Sequence, residues 1–125
     1  MGALRILLLE DEPHDAELIE RTIVQGGIGC TVTQVRSELM FLTALEQDTF
    51  DLILADYSLP RFDGISALQA AKRRLPKTPV IIISGVIGED LALATMKIGA
   101  CNYVLKHELD RLVPVIRRCL EPNDG

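Results

Sequence analysis

Short apolar runs alternate along this chain with longer segments whose apolar positions recur at helical spacing. The runs are Leu4 to Leu9, Leu52 to Ala55, Val80 to Ile83 and Tyr103 to Leu105. The first three lack an inside/outside alternation, as parallel strands covered on both faces do. Thr31 to Val35 alternates polar and apolar residues, which suits an edge strand with one wetter face. Five helical segments fill the gaps. Leu18, Ile19, Thr22 and Ile23 form a stripe closed by Gly26 and Gly27. Ser37 caps a second helix carrying Phe41 and Leu45, while Ile65, Leu68 and Leu75 mark a third that ends before Pro76. Leu91, Ala94, Thr95 and Ile98 mark a fourth, stopped by Gly99. Leu109, Leu112, Val113 and Ile116 form the last, which tolerates Pro114 only if it starts near Asp110.

Five strands alternating with five helices predict an α/β domain, a doubly wound five-stranded parallel sheet with right-handed crossovers. Placing the alternating second strand at an edge gives the order 2-1-3-4-5, the flavodoxin-like arrangement with five flanking helices. In such folds ligands sit beyond the carboxyl ends of the strands, at the switch point between the first and third. No repeat or linker interrupts the 125 residues, so one domain is expected over 1–125, with its core at about 4–120.

Composition removes several function classes. With 48% hydrophobic and 25% charged residues the chain is an ordinary globule, and a net charge of −5 argues against nucleic-acid binding. Val80 to Gly88 is far shorter than the roughly 20 residues of a membrane span. The apolar run after Arg5 is too short for a signal-peptide core, and Ile6 stands where myristoylation wants a hydroxyl. A cytoplasmic location is expected, with Cys30, Cys101 and Cys119 as reduced thiols lacking metal-ligand spacing.

The chemistry gathers at the predicted strand ends. Glu10 and Asp11 follow the first strand, Asp56 the third, Ser84 and Gly85 the fourth, and Lys106 the fifth. Three carboxylates against one ammonium invite a divalent cation with oxygen ligands, and Mg²⁺ keeps room for phosphate oxygens. Asp56 then suits a phosphoryl acceptor, with the cation and Lys106 supplying charge stabilisation. Ser84 would donate to the new phosphoryl oxygen, and Gly85 would remove bulk beside it. Taken singly, each residue has a plainer use. Asp11 or Glu12 would cap the helix at Pro13, Asp56 would start a turn, Lys106 and Ser84 would face solvent, and Tyr103 would fill the core. Their meeting at one sheet edge favours the joint reading. No glycine-rich turn follows the first strand, and no P-loop motif occurs. Ser58 stands where two-step phosphatases carry a second aspartate, and His14 and His107 lack metal or triad company.

The pieces LLLEDE, DLILADYSLPRFDG, VIIISG and YVLK resemble the receiver domain of bacterial two-component response regulators, from Leu4 to about Leu120. The resemblance implies that Asp56 takes phosphate from a phosphohistidine on a histidine kinase or histidine phosphotransfer domain. It implies Mg²⁺ held by Glu10, Asp11, Asp56 and the backbone carbonyl of Ser58. Lys106 would contact the phosphoryl group, Ser84 would be the switch hydroxyl, and Tyr103 the aromatic that swings inward. Output would run through the fourth helix, fifth strand and fifth helix, and Ser58 and Val86 would tune hydrolysis. The domain would be no enzyme beyond its own phosphorylation and dephosphorylation, and could stand alone or belong to a hybrid sensor kinase. Three departures stand out: His107 replaces the usual proline after the lysine, Asn102 a common acidic residue, and Ser84 the commoner threonine. The alternative reading is a pseudo-receiver, the same fold as a phosphorylation-independent interaction module.

Overall fold

The computed structural model describes residues 3–57, 59, 62–85 and 89–121; Ser58 and Val86 lie outside them. Its sheet contains β1 (Leu4–Leu9), β2 (Cys30–Val35), β3 (Leu52–Asp56), β4 (Val80–Ser84) and β5 (Asn102–Leu105). All neighbours are parallel and the order is β2-β1-β3-β4-β5, as the alternation of elements predicts.

Alternating Cβ directions explain the unbroken apolar runs. Ile6 and Leu8 point to one layer, where α1 (Pro13–Gln25) and α5 (Leu112–Leu120) contribute Ala16, Ile19, Ile23, Leu112, Val115 and Ile116. Leu7 and Leu9 point to the other, against Phe41 and Leu45 of α2 (Glu38–Gln47) and Ala67, Leu68 and Ala71 of α3 (Gly64–Arg74). The remaining helix, α4 (Glu89–Ile98), lies beside α3 and β5. Edge strand β2 alternates as expected and only Val35 is buried.

Local signals set the helix ends. The Ser37 hydroxyl accepts from Met40 N at 3.2 Å, and the Asp63 carboxylate accepts from Ser66 N at 2.8 Å. Gly99 ends α4 with φ +130°, in the left-handed region that favours glycine. The last helix is preceded by a 3-10 segment, Lys106–Arg111, so Pro114 falls in the first turn of α5 and costs no internal hydrogen bond.

Two expectations need correction. Leu18 is 46% exposed and Ile98 is 37% exposed, while the small side chains Ala16 and Ala92 face inward in their place. A Cβ built on Gly85 meets nothing within 4 Å among the described residues, so the space around that glycine is open. Finally, Cys101 and Cys119 are not thiols but a disulfide with Cα atoms 6.0 Å apart; Cys30 is free. The bond ties the residue before β5 to the last turn of α5. It closes an 18-residue separation, so reduction is expected to lower stability by roughly 2–3 kcal/mol. Urea unfolding with and without a dithiol reductant checks this, and coincident curves would speak against a native bond.

Candidate functional site at the carboxyl ends of the strands

Each side chain of the site is placed by the strand it terminates. Beyond β1, the Glu10 N–H donates to Val35 O at 3.0 Å, and Gln34 Nε2 donates to Glu10 O at 2.9 Å. Both partners come from β2, a backbone carbonyl and the Gln34 side chain, and together they fix the first acidic residue. Glu10 is fully buried, and its Oε2 accepts from Glu12 N at 3.1 Å. Asp11 is exposed at the rim. Glu12 takes the capping role, accepting from His14 N, so Asp11 is released from it. His14 is exposed, as expected.

Asp56 is the last residue of β3, opposite Ile83 of β4, and only 4% exposed. Tyr57 N donates to Ile83 O at 2.8 Å, which fixes the backbone just past the aspartate. Ser84 closes β4, is buried, and stands opposite Leu105. Lys106 follows directly, its ammonium directed back over the sheet edge. Tyr103 is half-buried in β5 and packs on the α2–α3 side of the core. The departures from the family pattern have simple structures. His107 joins the 3-10 segment through a trans bond, and Asn102 Oδ1 accepts from Tyr103 N at 2.8 Å.

Glu10, Asp11 and Asp56 each present a carboxylate oxygen within 4.8 Å of the others. An all-oxygen donor set of three carboxylates fits a hard divalent cation such as Mg²⁺. Buried Glu10 Oε1 lies 2.8 Å from the Lys106 ammonium as an ion pair.

Lys106 Nζ also lies 2.7 Å from Asp15 Oδ2 and 3.1 Å from Asp56 Oδ2. The sequence reading omitted Asp15. Its only local signal is a place in the first turn of a helix, where an acidic residue is ordinary. With Asp15 the ammonium faces carboxylates from three sides, so the site is more acidic than three strand-end residues imply. Burial pushes the Glu10 carboxyl up to about 7, against the opposing contact with Lys106. Burial alone would lower the Lys106 ammonium, but hydrogen bonds to Asp15, Glu10 and Asp56 outweigh it and hold the group above its ordinary range.

A stability effect follows from Glu10. Its folded value near 7 exceeds the ordinary 4.5, so the fold favours the protonated form. That contribution is complete below the ordinary value and is lost as pH rises through about 7. In metal-free buffer, wild type should therefore lose stability between pH 5 and 8 relative to Glu10→Gln, by about 2–3 kcal/mol. Parallel melting-temperature curves for the two proteins would contradict it.

Comparison with known proteins adds an independent line. The family described as response regulator receiver domain matches residues 6–117. The chain is 29% identical to the DNA-binding transcriptional regulator NtrC of Salmonella typhimurium over 116 residues, covering 92% of this chain and 24% of that one. It is 31% identical to the response regulator protein PilR of Pseudomonas aeruginosa over 121 residues, covering 96% and 27%. The chain thus spans about a quarter of the length of the curated relatives it matches. The crystal structure of the receiver domain of NtrX from Brucella abortus superposes with a TM-score of 0.83 at 27% identity, over 94% of this chain and 99% of that one.

Proposed function

We propose, from the premise that this chain belongs to the response regulator receiver domain family, that it is a phosphorylation-activated switch with Asp56 as phosphoacceptor. The observation carrying the reading is the placement of a buried Asp56 beside the Lys106 ammonium and within the Glu10–Asp11–Asp56 cluster.

Glu10, Asp11 and Asp56 would hold Mg²⁺; the Ser58 carbonyl, the fourth ligand implied by resemblance, lies outside the described residues. The bound cation would screen the acidic cleft from an anionic donor and neutralise charge on the transferring group. An Asp56 oxygen attacks the phosphorus of a phosphohistidine. A P–O bond forms, the P–N bond breaks, and the imidazole leaves with the electron pair. Lys106 already faces that carboxylate and stays protonated, so its ammonium can move to a phosphoryl oxygen with little rearrangement. Ser84, on the strand between β3 and β5, supplies the hydroxyl that follows the phosphoryl group. Tyr103, two residues before the Leu105 that stands opposite Ser84, would carry the change towards α4 and α5. Hydrolysis of the acyl phosphate then resets the switch.

The donor would be a histidine kinase or phosphotransfer domain, residues 1–125 would form one receiver domain, and the proposed location is the cytoplasm. No helix among the described residues is long and apolar enough to cross a membrane. In a reducing cytoplasm the Cys101–Cys119 bond would persist only under oxidation. The pseudo-receiver alternative is disfavoured by the complete acidic set and lysine.

Labelled phosphate supplied from a small phosphodonor with Mg²⁺ tests the reading. Label released by hydroxylamine, as an acyl phosphate requires, supports it; label that resists hydroxylamine places the phosphate on another residue. A Ser84→Ala variant is expected to accept phosphate yet lose most of the NMR shift changes in α4 that phosphorylation produces. Shift changes in that variant as large as those of wild type would remove Ser84 from the switch.

A further inference from the structure

We infer that Asp15 is a positioning residue for Lys106, holding its ammonium over Asp56 when a cation occupies the cluster; this rests on the phosphoacceptor reading and deepens it. Asp15 Oδ2 is 2.7 Å from Lys106 Nζ, against 2.8 Å for Glu10 and 3.1 Å for Asp56. Glu10 and Asp56 belong to the carboxylate cluster and Asp15 does not. Once a divalent cation shares the oxygens of Glu10 and Asp56, it also repels the ammonium beside them. Asp15 is the acceptor that remains to the lysine alone. A lysine stem is flexible, and without an anchor its charge spends much of its time in solvent.

The anchor is built into the fold rather than added to its surface. Glu12 and Pro13 fix the start of α1, and Ala16 and Ile19 pack the helix onto the sheet layer that includes Val104 of β5. Asp15 therefore faces the end of β5 from a rigid first turn. Glu17, two residues on, shows the contrast. It pairs with Arg21 at helical spacing, with both side chains more than half exposed, where such a pair has little consequence.

The test is a double-mutant cycle on the phosphorylation rate at saturating Mg²⁺, using a small phosphodonor. Asp15→Ala should lower the maximum rate about tenfold, the size of one lost charged hydrogen bond. In a Lys106→Ala background the same change should alter the rate less than about twofold, because Asp15 acts through the lysine. Mg²⁺ affinity should stay within about twofold of wild type, since Asp15 lies outside the cluster. An equal fall in both backgrounds, or no fall in either, overturns the inference. A second readout needs no phosphorylation. In the Mg²⁺-loaded protein, a ¹⁵N spectrum of lysine ammonium groups should show a slowly exchanging Lys106 signal that disappears in Asp15→Ala. If that signal survives, Asp15 is no anchor. If wild type accepts no phosphoryl group but the signal behaves as expected, the phosphoacceptor reading fails and the anchor stands.

Discussion

An Asp11→Asn variant is expected to bind Mg²⁺ at least tenfold more weakly than wild type while keeping its fold and melting temperature. Asp11 is exposed and makes no helix-capping bond, because Glu12 has taken that place. Its loss therefore leaves no cavity or orphaned donor. What it removes is one of three carboxylates that converge within 4.8 Å. Each is a candidate ligand, and even outer partners of metal sites typically cost about 10–100-fold when removed. Isothermal titration with Mg²⁺ reads the effect directly. Superimposable isotherms for the two proteins would remove Asp11 from the metal site.

The largest expected loss of stability lies far from the chemistry, at Phe41. Its side chain is fully buried, with its ring centroid 5.7 Å from that of Phe62, in the layer that contains Leu7, Leu9 and Ile53. Phe41→Ala deletes a ring that no neighbour can replace, so about 3–5 kcal/mol should be lost. Leu39, on the same helix but 75% exposed, supplies the control: Leu39→Ala should stay within about 0.5 kcal/mol of wild type. Urea denaturation of both variants decides it. Similar midpoints would mean that α2 does not pack as described.

The strands were legible because a covered parallel sheet demands apolar residues on both faces, which leaves the uninterrupted runs at Leu52 to Ala55 and Val80 to Ile83. A polar side chain at the end of such a run marks where the sheet meets solvent, so Glu10, Asp56, Ser84 and Lys106 could be placed together before any coordinates. Helix faces were less legible. Leu18 and Ile98 have the right chemistry for a core, yet Ala16 and Ala92 are buried in their place, because apolar spacing alone does not fix which edge of a helical stripe meets the sheet. The disulfide was not legible at all. Cys101 and Cys119 are 18 residues apart, and only the return of α5 along β5 brings their Cα atoms to 6.0 Å. Asp15 was missed for a related reason: nothing local tells that the first turn of α1 faces the lysine after β5.

The central claim is that Asp56 accepts phosphate in a metal-dependent reaction. Intact-mass spectrometry of wild type and Asp56→Asn, each incubated with acetyl phosphate with and without Mg²⁺, tests it most directly. The account predicts one added phosphoryl group on wild type with Mg²⁺, and none on the variant or without the metal. An adduct of equal yield on Asp56→Asn, or one that forms equally well without Mg²⁺, would contradict it.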